Sequence, residues 1–322
     1  MMRMRHLLES QQLDPDLLFH LFSQAELFRR NPNLRPLNGK IMATLFYEPS
    51  TRTRLSFESA MLRLGGEVIS TENAKEFSSA IKGESLEDTA RIIAAYADCI
   101  VMRHYEDGAA KKAASVSRVP IINAGDGKGQ HPTQALLDLY TIYRELGRIE
   151  KMKIAMVGDL SSGRTVHSLS YLLGKFKDIE IIFVSPKNLR MKEEIKEYLS
   201  RHKVNFREEE DLNKILSEVD IVYMTRIQKE RISAQDYEDA KGKYVINLNN
   251  LNLLKSSSRI LHPLPHVEEI DLPLEVEQSD KRVAYFRQAE NGLYIRMALL
   301  CYLLECDNFS HASTLNFVAN LS

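Results

Sequence analysis

The segment from residue 47 to 58, YEPSTRTRLSFE, places Arg52 and Arg54 among hydroxyl side chains directly after the apolar run IMATLF. A helix that begins near Ser50 or Thr51 would offer unpaired backbone N–H groups and the positive end of its dipole, and Arg52 would add a two-pronged donor for an anion. The pattern predicts a phosphate-binding turn. The alternative is that Ser50 and Thr51 only cap the helix while the arginines face solvent.

Donor side chains also follow other apolar runs of strand length, and ligands of open parallel sheets bind beyond the carboxyl ends of the strands. The side chains of this kind are Thr53, Arg103, His131, Gln134, Arg164, Arg226 and Gln228. Each has a simpler interpretation, such as a surface arginine for Arg103, a helix cap for His131 or an exposed helix start around Arg226. Their convergence at strand ends, where acidic residues are few, favours a site for an anionic substrate.

The elements that must position these donors form a regular pattern. Apolar runs of strand length alternate with helical patterns, which indicates parallel sheets covered on both faces. The runs are KIMATLFY, DCIVMRH, VPIINA, KMKIAMVGD, IEIIFVSP, DIVYMTR, KYVINLN and RILHPLP. A chain of 322 residues suits two domains. We therefore predict an α/β fold with two domains, each a parallel sheet flanked by helices.

A helical pattern separates the earlier strands from the later ones and sets the predicted domain boundaries. Residues 133–146 form the connecting helix, which has Pro132 at its start. The first domain comprises residues 1–132 and a C-terminal helix at about 288–306 that packs back on it. The second domain comprises residues 147–285.

Composition narrows the classes of ligand and the location. The net charge is −1, from 43 basic and 44 acidic residues, so we expect neither nucleic acid nor a membrane as a partner. Cys99, Cys301 and Cys306 lack metal-ligand spacing, and neither a metal nor an organic cofactor is expected. No GxxxxGK[ST] motif occurs, and GDLSSG differs from GxGxxG. Without a signal peptide or a membrane span, the expected location is cytoplasmic.

Several of these segments, in the same order, resemble the catalytic chains of aspartate carbamoyltransferases. They extend from about residue 40 to 305 and are EPSTRTRLSFE, SAIKGESLEDT, IVMRH, NAGDGKGQHPTQALLDLYTI, GDLSSGRTVHSL, YMTRIQKER, LHPLP and QAENGLYIRMALL. STRTR and HPxQ alone indicate only the wider carbamoyltransferase family. The segments that are specific for aspartate carbamoyltransferases are YMTRIQKER and HPLP. Ornithine carbamoyltransferases typically have a cysteine in the motif that corresponds to HPLP, and an acidic loop that binds the amine.

The resemblance implies a carbamoyl-phosphate site in the first domain and an aspartate site in the second. The residues implied for carbamoyl phosphate are Ser50, Thr51, Arg52, Thr53, Arg103, His131, Gln134 and the backbone of Leu264 and Pro265, whose peptide bond is expected to be cis. The residues implied for aspartate are Lys82, Arg164, Arg226 and Gln228. Catalytic roles are implied for Arg52, Thr53, Arg103, His131 and Lys82.

The resemblance also implies an assembly and a domain movement. Ser78 and Lys82 match loop residues that reach a neighbouring subunit's site, so a homotrimer with shared active sites is expected. Separate regulatory chains are a further possibility that the sequence leaves open. Glu48 and Arg231 match positions that join the domains through ion pairs when the site closes. His266 stands where many relatives have an arginine, and the tail from residue 307 has no matching counterpart.

The implied reaction transfers the carbamoyl group of carbamoyl phosphate to the amine of L-aspartate, an early step of pyrimidine biosynthesis. Its tetrahedral intermediate needs donors on an oxyanion and cations on the leaving phosphate, which Thr53, Arg103 and His131 can supply. Because carboxylates are few, we expect the departing phosphate to take the amine's proton. The alternatives are a carbamoyltransferase for another amine, such as ornithine, and a non-catalytic metabolite-binding protein on the same scaffold.

Overall fold

The computed structural model describes residues 4–72, 83–227, 237 and 242–307. In this part of the chain strands and helices alternate. The strands are β1 (Ile41–Phe46), β2 (Glu67–Glu72), β3 (Cys99–His104), β4 (Ile121–Asp126), β5 (Met152–Val157), β6 (Ile179–Val184), β7 (Asn205–Glu209), β8 (Ile221–Met224), β9 (Ile246–Asn247), β10 (Arg259–Leu261) and β11 (Ile270–Asp271). The helices are α1 (Pro15–Arg30), α2 (Thr51–Arg63), α3 (Leu86–Tyr96), α4 (Ala109–Val116), α5 (Pro132–Leu146), α6 (Arg164–Leu173), α7 (Glu193–Arg201), α8 (Leu212–Ile215), α9 (Leu248–Leu251), α10 (Leu274–Ser279) and α11 (Tyr285–Leu303).

The chain divides into two compact units. The first unit comprises the residues up to Tyr140 together with those from Glu290 onward, and the second comprises Thr141–Ala289. The boundaries fall inside α5 and α11, so each of these helices contributes residues to both units.

The first unit contains a parallel sheet with the strand order β2-β1-β3-β4. In β1 the residues from Met42 to Phe46 are buried, in agreement with its continuous apolar run. Phe46 is paired with Arg103 near the end of β3. Because the strands are parallel, their carboxyl ends share one edge of the sheet, and α2 and α5 begin just beyond that edge.

The second unit contains a parallel sheet with the order β10-β8-β5-β6-β7 and a small parallel pair of β11 with β9. The central strands are wholly or almost wholly buried, with β8 buried along its length. Ala155 in β5 is paired with Val222 in β8, and both belong to the core of this unit. The adjacent strands β10, β8 and β5 therefore end at one edge of their sheet.

The α/β fold with two parallel sheets flanked by helices is confirmed, and so is the packing of the C-terminal helix on the first unit. Arg29 in α1 donates hydrogen bonds to Glu290 and Asn291 in α11, and Arg296 in α11 donates to Ser56 in α2. The C-terminal helix begins earlier than its sequence pattern indicated, at Tyr285.

Some elements differ from the sequence pattern. The strands β2 and β7 were not predicted, because they lie at sheet edges and their sequences, EVISTE and NFREE, lack a continuous apolar run. Helix α5 begins at Pro132 as expected, but its residues from Pro132 to Ile142 are buried on every side rather than along one stripe.

None of the helices in the described ranges combines the length and apolarity needed to cross a membrane.

Candidate active site

The predicted phosphate-binding turn is the first turn of α2. The helix begins at Thr51, and the Ser50 side chain makes no capping hydrogen bond to its backbone, so the first N–H groups of the helix lack a side-chain cap from that residue. Arg52 is exposed and Thr53 is buried. Arg54 has a different environment, because it contacts Ser70 in β2 and Glu58 one turn along α2. The two arginines of the motif therefore have separate surroundings.

Arg103 brings a second guanidinium to this turn. Its Nη1 atom lies 3.3 Å from Ser50 Oγ, and its Nε atom lies 3.3 Å from Glu48 Oε2. Burial lowers the pKa of Arg103, Glu48 acts in the opposite direction, and the charge of Arg52 lowers it further. The two guanidiniums thus lie close enough to repel each other, and an anion between them would relieve that repulsion.

His131 and Gln134 lie at the start of α5, beyond the end of β4. The backbone N–H of Gln134 donates to His131 Nδ1 over 3.3 Å. A neutral imidazole that accepts at Nδ1 carries its proton on Nε2, so the ring can donate from Nε2. The Gln134 amide nitrogen lies 2.8 Å from Asp138 Oδ1. Because a carboxylate only accepts, this bond orients the amide oxygen away from Asp138.

In the second unit, Arg164 and Arg226 follow neighbouring strands. Arg164 is the first residue of α6, after β5, and Arg226 comes just after β8. The close approach of these strand ends depends on Gly158, which has φ +116°. A Cβ atom at Gly158 would lie 2.3 Å from the Thr225 carbonyl oxygen. A glycine is therefore required where the two loops meet.

Leu264 and Pro265 follow β10 at the same edge. Their peptide bond is cis, as expected. Leu264 has φ +57°, and its backbone N–H donates to His262 Nδ1 over 2.8 Å. The other ring nitrogen of the buried His262 lies 2.8 Å from Glu269 Oε1, so the imidazole connects the Leu264 backbone to a buried carboxylate. His266 contacts Glu277 at 3.2 Å, within the second unit.

Several predicted site residues lie outside the described ranges. They are Ser78, Lys82, Gln228 and Arg231. Glu48 lies within those ranges and contacts Arg103 in the first unit. The predicted role of Glu48 and Arg231 in ion pairs that join the domains stays a prediction. Among the described residues, no group of three or more His, Cys, Asp and Glu side chains is arranged to hold a metal ion.

The structure adds two buried charges that the sequence analysis did not single out. Asp138 in α5 is 0% exposed, and Arg296 in α11 is 4% exposed. Burial lowers the pKa of Arg296 to about 10, and the negative charge of Asp138 opposes this shift. The guanidinium therefore stays charged at neutral pH. One sequence signal could have identified it, since Arg296 interrupts the apolar pattern of YIRMALL.

Comparison with protein families matches both halves of the chain. Residues 5–144 match the aspartate/ornithine carbamoyltransferase carbamoyl-P binding domain, and residues 150–303 match the Asp/Orn binding domain of the same family.

Individual relatives agree with this match. The chain is 56% identical over 302 residues to aspartate carbamoyltransferase 2, chloroplastic, of Pisum sativum, covering 92% of this chain and 78% of the relative. It is 50% identical over 307 residues to the aspartate carbamoyltransferase catalytic subunit of Methanocaldococcus jannaschii, covering 94% of this chain and 98% of the relative.

Solved structures are similar over almost the whole chain. A catalytic subunit of M. jannaschii aspartate transcarbamoylase has a TM-score of 0.86 and 50% identity, covering 95% of this chain and 99% of that one. Aspartate transcarbamoylase from Trypanosoma cruzi in complex with N-(phosphonacetyl)-L-aspartic acid has a TM-score of 0.87 and 38% identity, covering 94% and 96%. The donors at the strand ends and these matches lead to one conclusion: the chain belongs to the aspartate/ornithine carbamoyltransferase family.

Proposed function

We propose that this protein transfers the carbamoyl group of carbamoyl phosphate to the amine of L-aspartate, giving N-carbamoyl-L-aspartate and phosphate. The observation that carries the proposal is the pair of guanidiniums of Arg52 and Arg103 at the first turn of α2. Two cations and a helix N-terminus together suit a phosphate dianion. The identity of 50% or more to the aspartate carbamoyltransferases named above supports aspartate as the acceptor.

The carbamoyl group would be held by the side chains at the start of α5. His131 Nε2–H is a donor for the carbonyl oxygen, where negative charge develops as the amine attacks. The Gln134 amide oxygen, directed away from Asp138, is an acceptor for the carbamoyl NH₂ group. Thr53 and Arg103 are the further donors, and the Leu264 and Pro265 backbone carbonyls are proposed as acceptors for the same NH₂ group.

The bond changes need no nucleophilic side chain. The aspartate nitrogen forms a bond to the carbamoyl carbon, the bond from that carbon to the phosphate oxygen breaks, and the amine loses a proton. We propose that the leaving phosphate accepts this proton. Arg52 and Arg103 stabilise the phosphate as its charge increases.

Arg164 and Arg226 are proposed to bind the two carboxylates of aspartate, with Gln228 and Lys82 as further ligands. Two guanidiniums after neighbouring strands suit a dicarboxylate, whereas the second ammonium group of ornithine would be repelled. Assays of the purified chain with carbamoyl phosphate and either L-aspartate or L-ornithine test this choice. Carbamoyl aspartate as the product supports the proposal, and citrulline or no product contradicts it.

A homotrimer with shared active sites is proposed on the resemblance of Ser78 and Lys82 to residues that reach a neighbouring subunit. Mixing two inactive variants tests it. Subunits with Lys82→Ala and subunits with Arg52→Ala should regain activity after dissociation and reassembly together, because some sites then combine an intact residue from each. No recovery, or a monomer by light scattering, would contradict the trimer. The same size measurement after co-purification from the host would reveal any regulatory chains.

The cytoplasmic location is also a proposal. It is supported by Cys99 and Cys301, which are buried as free thiols, as expected in a reducing compartment. The relatives from Pisum sativum are chloroplastic by name. Microscopy of the tagged full-length chain in its host distinguishes the two locations.

A further inference from the structure

Arg296 lies in the interior of the first unit, next to the turns that carry the proposed carbamoyl-phosphate ligands. Its Nη1 atom lies 2.6 Å from Ser56 Oγ. The same hydroxyl lies 2.6 Å from the Arg52 carbonyl oxygen and 3.0 Å from the Thr53 carbonyl oxygen. A guanidinium only donates, so Ser56 must accept from Arg296 and direct its own hydrogen toward the two carbonyl groups. The cation is thus connected to the first turn of α2.

The guanidinium of Arg296 also lies close to α5. Gly292 lies one turn before Arg296 in α11, and a Cβ atom at Gly292 would lie 2.7 Å from Arg296 Nη1 and 3.2 Å from Leu137 Cδ2. The guanidinium therefore occupies the space left by this glycine, close to α5. Asp138, the residue after Leu137, acts on Arg296 through its charge and accepts the Gln134 amide hydrogen bond.

We infer that Arg296 is a positioning residue, which holds the α2 turn that carries Thr53 in a fixed relation to the α5 turn that carries Gln134. The inference rests on the proposed function, because it assigns Arg296 a role toward those ligands. Arg296 acts on them indirectly, because it donates to Ser56, its guanidinium lies 5.0 Å from the centre of the Phe57 ring in α2, and it interacts with the charge of Asp138. Small displacements of catalytic donors are costly, and about 1 Å can reduce a rate a hundredfold.

The simpler interpretation is that Arg296 only joins α11 to the rest of the unit. A matched variant at Arg29 distinguishes this structural role from the positioning role. Arg29 also joins α11, through Glu290, Asn291 and the ring of Tyr294. Arg29 also interacts with the Tyr140 hydroxyl in α5, six residues beyond Gln134, and the contacts described for it do not include the α2 turn. Arg296→Met and Arg29→Met both remove a guanidinium from an α11 contact, and urea unfolding measures the stability that each change costs.

If Arg296 positions the donors, kcat of Arg296→Met should fall about ten- to a hundredfold per folded molecule, while kcat of Arg29→Met stays within about twofold of the wild type. The KM for aspartate should change much less than kcat. Arg296→Lys should recover part of the rate, because it keeps the cation. A kcat for Arg296→Met within about twofold of that of Arg29→Met overturns the inference.

Two variants test the connection without removing the cation. Ser56→Ala deletes the bridging hydroxyl, and Gly292→Ala fills the space next to the guanidinium; both should lower kcat. The double variant Ser56→Ala/Arg296→Met should lose little more than the worse single variant, because both changes interrupt one connection. If Arg296→Met does not fold, the kcat of Ser56→Ala tests the inference instead. A kcat of Ser56→Ala equal to that of the wild type overturns the inference.

Calorimetry with inorganic phosphate gives a readout that is independent of the reaction. Arg296→Met should bind phosphate at least about threefold more weakly than Arg29→Met, because the α2 turn is less ordered. If the wild type forms no carbamoyl aspartate, the proposed function fails, and the phosphate measurement still decides on Arg296. Equal phosphate affinity in the two variants would then overturn the inference.

Discussion

Arg103 Nε lies 3.3 Å from Glu48 Oε2 within the first unit. The guanidinium that is proposed to bind the phosphate therefore contacts the Glu48 carboxylate at the same edge of the sheet. The Arg103 side chain is 18% exposed, and a partly buried cation needs such a partner. The carboxylate holds the guanidinium beside Ser50, but its negative charge also opposes the binding of an anion. These two effects of Glu48 have opposite consequences for phosphate affinity.

Glu48→Gln should therefore increase the affinity for inorganic phosphate about three- to tenfold at low salt, because it removes a negative charge beside the cations. Calorimetry at two ionic strengths measures this change. Glu106→Gln is the matched control, since Glu106 is an exposed carboxylate that contacts Lys112 instead. Weaker phosphate binding by Glu48→Gln would mean that its main effect is to orient Arg103.

His131→Ala should reduce kcat about a hundred- to a thousandfold, the usual cost of losing one oxyanion donor. The KM for carbamoyl phosphate should change little, because the phosphate is held by the arginines. Steady-state kinetics of the variant measure both constants, and the residual rate should keep the wild-type dependence on pH. Complete loss of catalysis with unchanged phosphate binding would instead indicate that His131 is the base for the amine.

Arg226→Ala should raise the KM for aspartate about ten- to a hundredfold, as expected from the loss of a charged hydrogen bond. The KM for carbamoyl phosphate should stay close to the wild-type value. Arg201→Ala, which removes an exposed arginine at the end of α7, should leave both constants unchanged. A larger effect on carbamoyl phosphate than on aspartate would contradict the assignment of Arg226.

Glu145 in α5 is a point where stability should depend on pH. Its carboxylate accepts hydrogen bonds from Arg287 and Arg259, both in the second unit. Burial raises its pKa, but the two arginines outweigh burial, so the pKa lies below its ordinary value of 4.5. Because the folded pKa is depressed, the stabilisation is present above pH 4.5 and is lost as the pH falls through the folded value.

Glu145→Gln should lower the free energy of unfolding at pH 7 by about 2 to 3 kcal/mol, less than for a fully buried ion pair because Arg287 is half-exposed. Urea unfolding from pH 7 down to pH 3 should show this difference shrinking at acid pH. Glu197→Gln, at an exposed position of α7, should leave stability almost unchanged at every pH. A difference that stays constant with pH would contradict the proposed ionisation.

Strands with continuous apolar runs were predictable, whereas the polar edge strands β2 and β7 were not. The runs around β1, β3, β5, β6 and β8 predicted central strands, because burial on both faces requires apolar residues at every position. The runs around β4 and β10 predicted edge strands that are also largely buried. The edge strands β2 and β7 have one exposed side and polar sequences. Their pairing is decided by neighbouring strands, so their own residues give little indication of it.

The sequence by itself determined the α/β class and the set of donors at the strand ends, since hydrophobic periodicity and helix starts are local properties of the chain. The tertiary structure alone decided which charges meet. The contacts of Arg103 with Glu48, of Arg296 with Ser56 and of Arg259 with Glu145 each join residues on different elements that are far apart in the chain. Such contacts arise only when helices and strands pack, because a buried charge is stabilised by whatever partner packing brings within reach.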